Sequence, residues 1–230
     1  MLKNINFKIQ TGETIAIVGP TGGGKSTVAK LATRFYDPSS GRVLIDGYDI
    51  RNVQLESLRK QIGVVPQEPF LFAGSIRENV GFSRPEASDD EIIEALDASG
   101  LMPMVDSLPD GIDTVIHERG ASLSAGERQL IAISRAFLSK PRVLVLDEAT
   151  SNLDLQSESQ VERALDAILD GRSAIIVAHR LATVMRADRI IVVDNGRIVE
   201  SGSHNELLNK EGAYSEMHQQ WKKTTQIYDS

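Results

Sequence analysis

Nine consecutive residues near the N-terminus have the types and the spacing that phosphate binding needs. Their sequence, Gly-Pro-Thr-Gly-Gly-Gly-Lys-Ser-Thr, fits the pattern G-x-x-x-x-G-K-[ST]. Glycines let backbone N–H groups turn inward around a phosphate, and a helix that follows adds the partial positive charge of its N-terminus. Lys25 can then reach the outer phosphates, and the Ser26 hydroxyl can ligate Mg²⁺. The candidate phosphate-binding residues are Gly19, Pro20, Thr21, Gly22, Gly23, Gly24, Lys25, Ser26 and Thr27.

The residues on either side predict the elements that such a loop requires. Residues 14–18 are an apolar run rich in β-branched side chains, which is typical of a buried strand. After the loop, the apolar residues Val28, Leu31, Ala32 and Phe35 recur at helical spacing. This context favours a phosphate loop over a glycine-rich turn that happens to carry a lysine.

Two carboxylates follow a second apolar run. Residues 143–146 are Val-Leu-Val-Leu, and Asp147 and Glu148 come directly after them. In an open parallel sheet, ligands bind beyond the carboxyl ends of the strands, where we also expect the phosphate loop to open. Asp147 suits a contact to Mg²⁺, and Glu148 suits a general base for an attacking water. The alternative interpretation is a strand followed by a polar turn.

The order of apolar strands and helices predicts an α/β fold. Strands that alternate with helices indicate a mainly parallel sheet covered by helices. The pairs at 46–47 and 195–196, Asp-Gly and Asn-Gly, are hairpin signals and predict an antiparallel β portion. Residues 2–10 alternate like one more strand, and the charged tail from Glu206 is expected to be helical.

The middle of the chain has a different character. Residues 75–138 are rich in helical patterns, with capping boxes predicted at Ser88 and Ser124. We therefore predict one domain over residues 1–230, in which a core made of 1–74 and 139–230 carries an inserted all-helical subdomain at 75–138.

Composition excludes several classes of protein. The chain has 230 residues, 41% of them hydrophobic, a formal net charge of −7 and no cysteine. Disulfides and thiolate sites are therefore absent, and the acidic balance disfavours broad binding to nucleic acid. The apolar runs are too short to cross a bilayer, and no signal peptide is recognisable. We expect a soluble, cytosolic chain.

Several further motifs give the chain a family resemblance. It resembles the nucleotide-binding domain of ATP-binding-cassette (ABC) transporters, of the exporter type, as a P-loop NTPase core with the inserted helical subdomain. Residues 123–129, Leu-Ser-Ala-Gly-Glu-Arg-Gln, look like the signature motif of that family. Gln67 matches its Q-loop, residues 151–154 its D-loop and residues 178–181 its switch-histidine motif. The resemblance covers essentially the whole chain.

The resemblance implies ATP hydrolysis with Mg²⁺ at two composite sites of a head-to-tail dimer. Ser124, Gly126 and Glu127 of one copy would face the γ-phosphate that the loop of the other copy holds. Glu148 and Lys25 would be catalytic.

Two further residues take roles from the family. Gln67 would lie near the metal and the water, as a catalytic residue and metal contact beside Ser26 and Asp147. His179 would contact the γ-phosphate.

The implied partners are a second nucleotide-binding domain, identical or not, and a transmembrane domain of the same full-length chain, with no nucleic acid. Residues 70–79 and 118–120 would touch its coupling helices at the cytoplasmic face of the membrane.

The sequence departs from the family pattern at the signature and at the N-terminus. Ala125 and Glu127 replace a glycine and a glutamine, and we predict that a capping box turns the Glu127 carboxylate away from phosphate. In the family an aromatic residue stacks on adenine, further upstream than this chain extends. We therefore expect a fragment of a half-transporter that binds nucleotide several-fold more weakly.

Three other functions compete with an exporter motor. They are a soluble ABC-type ATPase acting on nucleic acid or the ribosome, the separate ATPase subunit of an importer, and a nucleotide-binding switch without catalysis. The acidic charge and the exporter-like segment at 71–79 disfavour the first, and the presence of Glu148 disfavours the last.

Overall fold

Ten strands and ten helices make up the described part of the chain. The structure is a computed structural model that describes residues 2–117, 120–147, 153–178 and 180–228. The strands are β1 (Thr14–Val18), β2 (Leu44–Ile45), β3 (Tyr48–Asp49), β4 (Ile62–Val65), β5 (Gly74–Ser75), β6 (Val115–Ile116), β7 (Val143–Asp147), β8 (Ser173–Val177), β9 (Arg189–Asp194) and β10 (Arg197–Gly202). The helices are α1 (Lys25–Ala32), α2 (Leu55–Gln61), α3 (Ile76–Gly81), α4 (Asp89–Ala98), α5 (Met102–Asp106), α6 (Ala125–Ser139), α7 (Leu155–Leu169), α8 (Leu181–Val184), α9 (His204–Asn209) and α10 (Ala213–Tyr228), with 3₁₀ turns at Ile50–Asn52 and Gly111–Asp113.

These elements fall into two units. The first comprises the described parts of Met1–Arg59, Val145–Glu148 and Gly171–Ser230. The second comprises those of Lys60–Leu144 and Ala149–Asp170. Strand β7 contributes residues to both units. The subdomain boundaries inferred above, at 75 and 138, stay a prediction.

The first unit is built on a mainly parallel sheet with β1 inside it. The strand order is β10-β9-β1-β8-β7, and β1 pairs in parallel with both β8 and β9. Residues 15–18 are fully buried, as expected for a parallel strand covered on both faces. At the start of β1, the Arg189 guanidinium donates to Glu13 Oε1 at 2.7 Å and holds the pKa of that carboxyl below its usual value.

Both predicted hairpins are confirmed. Strands β2 and β3 pair antiparallel around Asp46 and Gly47, whose φ angles are 50° and 83°. Strands β9 and β10 pair antiparallel around Asn195 and Gly196, with φ angles of 47° and 76°. Two successive positive φ angles are what a type I′ hairpin turn requires, and Asp, Asn and Gly adopt them most readily.

The strand expected over residues 2–10 is wrong. Among residues 2–13 of the described chain no strand is present, although Lys3 N donates to Gly196 O at 2.7 Å. Alternation of apolar residues shows which face is buried, but a strand also needs a partner to pair with, and a local pattern does not supply one.

The second unit is centred on α6. Nine residues of this helix are buried, and it packs against α3, α4, α7 and β4. Inside this packing the Ser99 and Ser134 hydroxyls are hydrogen bonded at 2.8 Å. The unit also contains the short antiparallel pair β5–β6, whose two-residue strands are too short to show a pattern in the sequence.

Candidate nucleotide-binding site

The phosphate loop lies between β1 and α1 and can be built only with glycine at several positions. Gly19, Gly22 and Gly24 have φ angles of 147°, 79° and 115°, which side chains of L-residues rarely adopt. A Cβ atom on Gly19 would lie 2.0 Å from Val193 O, so the loop packs directly on the backbone of β9. The strand–loop–helix order expected from the sequence is confirmed, but α1 ends at Ala32 and leaves Phe35 outside the helix and exposed.

Lys25 is buried within this loop. Its side chain is 4% exposed, and Nζ donates to Gly19 O at 2.9 Å and to Pro20 O at 3.0 Å. The ammonium group is therefore held by the carbonyls at the start of the loop. In this position its charge favours an anion beside the loop.

The N-terminus of α1 differs from those of other helices in the chain. Helices α3, α4, α6 and α9 each begin with a serine and a glutamate in a full capping box. In the described loop and helix, the first turn of α1 carries neither a capping side chain nor a carboxylate, and Gly24 is the N-cap. Because no side chain caps this helix end and its first turn has no carboxylate, the N-terminus of α1 favours an anion.

Two oxygen donors predicted to ligate Mg²⁺ belong to the first unit. Ser26 is in the first turn of α1, and Asp147 ends β7; both are half-buried. A hydroxyl and a carboxylate are the hard ligands that Mg²⁺ prefers, and phosphate oxygens and water usually supply the rest. The residues that the structure describes contain no group of three or more His, Cys, Asp or Glu residues that could hold a metal ion.

The signature segment forms the N-terminus of α6 in the second unit. Ser124 is the N-cap, and its Oγ accepts from Glu127 N at 3.1 Å. Ser124 N in turn donates to Glu127 Oε2 at 2.7 Å. The predicted capping box is confirmed, and the Glu127 carboxylate is turned back onto Ser124.

Gly126 has a packing role in addition to any role at a phosphate. A Cβ on Gly126 would lie 2.5 Å from Ser157 Cβ and 2.7 Å from Ser157 Oγ, so α6 and α7 meet at this glycine. Ser157 is held by Asp154, which accepts from Ser157 N at 3.0 Å and from Ser157 Oγ at 2.7 Å. Asp154 therefore caps α7, as the local sequence suggests.

The remaining predicted residues are placed as follows. Gln67 is exposed directly after β4, next to Pro66, whose carbonyl accepts from Gln129 Nε2 at 3.2 Å. Glu148 and His179 lie outside the described residues, as do residues 118–119 and 151–152. The structure thus brings Asp147 into the same unit as the phosphate loop, whereas Gln67 and the signature residues belong to the second unit.

A cluster of aromatic rings around an arginine was not predicted from the sequence. Phe70, Phe72 and Phe82 are 54%, 41% and 60% exposed, and their ring centroids are 5.0 Å and 4.5 Å apart in succession. The Arg135 guanidinium lies about 6 Å from the centroids of Phe72 and Phe82. We call these four residues the aromatic cluster.

Arg135 also ties the aromatic cluster to the backbone. It donates to Asn79 O at 2.7 Å, to Phe70 O at 2.8 Å and to Asn79 Oδ1 at 3.0 Å. Burial lowers the pKa of Arg135 to about 10, which keeps the guanidinium charged at neutral pH. In the sequence, α6 shows only an apolar helical pattern. That pattern gave no signal that its arginine would hydrogen bond to a segment more than fifty positions away.

Comparisons with known proteins agree with this geometry. The family model described as ABC transporter matches residues 2–151. A Staphylococcus aureus protein (strain NCTC 8325), named as a multidrug export ATP-binding/permease protein, is 49% identical over 218 residues, which are 95% of this chain and 38% of the relative. Its counterpart in the bovine strain RF122 is 48% identical with the same coverage.

Solved structures give the same result. The structure of a bacterial Atm1-family ABC exporter with ATP bound matches with a TM-score of 0.89 and 43% identity, over 95% of this chain and 38% of that chain. The predicted α/β fold of a P-loop NTPase is therefore confirmed. The chain spans 38% of the length of these relatives. Among the residues that the structure describes, no helix is both long and apolar enough to span a membrane. Because the family model covers well over half of its residues, the chain belongs to the ABC transporter family.

Proposed function

We propose that the chain is the ATP-binding and ATP-hydrolysing motor domain of a membrane ABC exporter. The observation that carries the proposal is the phosphate loop, in which Lys25 and the N-terminus of α1, whose first turn carries no carboxylate, present positive charge. The relatives named as export ATP-binding/permease proteins, and the solved exporter with ATP bound, support export as the work that hydrolysis drives.

Each residue of the proposed site has a separate task. The loop binds the phosphates through backbone N–H groups, and Lys25 neutralises the outer ones. Ser26 and Asp147 would hold Mg²⁺, which when bound supplies charge neutralisation at the phosphates; Gln67 would lie close to it. Glu148 would take the proton of the attacking water, and His179 would position the γ-phosphate.

The site is completed by a second copy or a related domain in a head-to-tail dimer. Ser124 and Gly126 at the N-terminus of α6 would meet the γ-phosphate held by the partner's loop, because a helix N-terminus favours an anion. The Glu127 carboxylate accepts from Ser124 N at 2.7 Å and is therefore held at the cap residue.

The membrane partner is a permease domain, and the chain would act at the cytoplasmic face of the membrane. The three phenylalanines of the aromatic cluster, Phe70, Phe72 and Phe82, are exposed apolar side chains of the second unit. Exposed aromatic clusters of this kind are typical of interaction sites. No observation favours the nucleic-acid or ribosome alternative.

The proposal is tested by measuring ATP binding and hydrolysis by the chain and two variants. Lys25→Ala is expected to lose ATP binding, because the buried ammonium of the loop is removed. Glu148→Gln is expected to bind ATP with near wild-type affinity but to lose turnover. Wild-type turnover by Glu148→Gln would exclude Glu148 as the base, and the absence of Mg²⁺-dependent ATP hydrolysis by the wild type would contradict the proposal.

A further inference from the structure

A cavity of about 400 Å³ adjoins the phosphate loop within the first unit. One wall is formed by Gly19, Pro20 and Thr21, the first residues of the loop. The facing wall belongs to α10, which contributes Glu216 and Trp221 among others. The C-terminal helix therefore lies beside the loop that the proposed function assigns to the phosphates.

The residues of α10 that line the cavity form a stripe along one face of the helix. Ala213, Met217, Gln220 and Trp221 line the cavity together with Glu216, at spacings of three and four residues. In the sequence this stripe mixes apolar, amide and acidic side chains, so it does not stand out as a binding face. Only the fold shows that it is one continuous surface.

Contacts to β10 and α9 fix the position of α10. The Glu200 carboxylate accepts from Ala213 N at 2.8 Å and from Tyr214 N at 3.1 Å, and so caps the helix from β10. Tyr214 is fully buried, and its hydroxyl is 2.6 Å from His204 Nδ1. The ring of His218, 8% exposed, stacks near Tyr214. The cavity residues of α10 are thus carried on a well-anchored helix.

The charge of this cavity opposes an anion. Asp194 at the end of β9 and Glu216 on α10 both line it. A cavity of this volume is roughly 9 Å across, which is comparable to a Debye length of about 8–10 Å. Salt therefore screens only part of the repulsion between these carboxylates and phosphates bound at the loop.

We propose that α10 is a further element of the nucleotide site, and that Glu216 lowers the affinity of the loop for ATP. The inference rests on the proposed function, since it needs ATP phosphates at the loop.

The test measures ATP dissociation constants for the 230-residue chain by isothermal titration calorimetry at low ionic strength. Glu216→Gln is expected to bind ATP about threefold to tenfold more tightly, because one negative charge leaves the cavity. Gln220→Glu adds a carboxylate to the same wall and is expected to weaken binding by a similar factor. Gln219→Glu is the matched control, because this neighbour is exposed and does not line the cavity.

Two further measurements separate the possible outcomes. Trp221 is the only tryptophan in the sequence, so its fluorescence reports on the cavity wall and is expected to change when ATP is added to the wild type but not to Lys25→Ala. The affinity differences are expected to shrink in high salt.

If Glu216→Gln and Gln220→Glu bind ATP like Gln219→Glu and the wild type, the inference about α10 is overturned while the phosphate site stands. Absence of ATP binding by the wild type overturns the proposed function and this inference together.

Discussion

Arg135 shows how one half-buried charge can organise an exposed surface. Its guanidinium donates to Phe70 O, Asn79 O and Asn79 Oδ1 while lying against the rings of Phe72 and Phe82. The planar guanidinium of arginine can donate to these acceptors and lie against aromatic rings at the same time, which the compact ammonium of lysine cannot do.

We expect Arg135→Met to destabilise the chain by about 1–3 kcal/mol, because three hydrogen bonds from a charged, half-buried donor are lost. Arg135→Lys should recover only part of this loss. The free energy of unfolding in urea measures both effects. Arg163→Met is the control, since Arg163 lies on the exposed face of α7 and its replacement should change stability by less than about 0.5 kcal/mol. Equal stabilities of Arg135→Met and Arg163→Met would show that the hydrogen bonds of Arg135 contribute nothing.

Among the elements, α6 combines a structural cap with a candidate phosphate contact. The carboxylate of Glu127 bonds Ser124 N, and the same box recurs on α4 with Ser88 and Glu91. A glutamine can complete a capping box as well as a glutamate can, but it carries no charge.

Glu127→Gln is therefore expected to keep the stability of the wild type and to raise ATPase activity, because a negative charge leaves the neighbourhood of the partner's phosphate. Glu127→Ala should lose about 0.5–2 kcal/mol of stability with the box. Thermal unfolding measures the stability of these variants, and steady-state assays measure their ATPase activity. Glu91→Ala is the control, because it removes a capping box that is distant from the signature. A lower activity for Glu127→Gln than for the wild type would mean that the charge itself is needed.

Features determined by neighbouring residues were predictable from the sequence. The phosphate loop, the hairpins at Asp46 and Asn195 and the cap at Ser124 each depend on residues within a few positions of one another. The strand expected at 2–10 failed because pairing requires a partner from elsewhere.

The aromatic cluster and the α10 cavity were missed for a related reason. Arg135 and Phe72 are 63 positions apart, and Trp221 is 200 positions from Thr21, so only the packing of distant segments brings each pair together. The active-site assignments of Gln67 and His179 rest on the family resemblance, whereas that of Glu148 rests first on its position after an apolar strand; all three stay predictions.

For the whole molecule, the proposed composite site makes activity depend on association. Lys25 and Ser124 of one copy would serve different sites, so a monomer has no complete site. The ATPase activity per chain is expected to rise with protein concentration and then to level off as dimers form. Activity that stays constant down to the lowest measurable concentration would contradict a shared site.

Mixing two inactive variants tests the same prediction by complementation. Lys25→Ala lacks the loop contact, and Ser124→Asp keeps a capping side chain but places a carboxylate at the phosphate. A mixed dimer contains one intact site, so the mixture should recover part of the activity that each variant alone has lost.

The contact between Gly126 and Ser157 changes how a genetic lesion at the signature should be interpreted. Alanine at 126 would place its methyl group 2.5 Å from Ser157 Cβ and force α6 and α7 apart, with Asp154 displaced alongside its serine. Such a mutation could abolish activity without removing any group that touches nucleotide. A second mutation that suppresses this defect would then be expected at position 157, where glycine would relieve the clash. Positions 126 and 157 would accordingly vary together among related sequences.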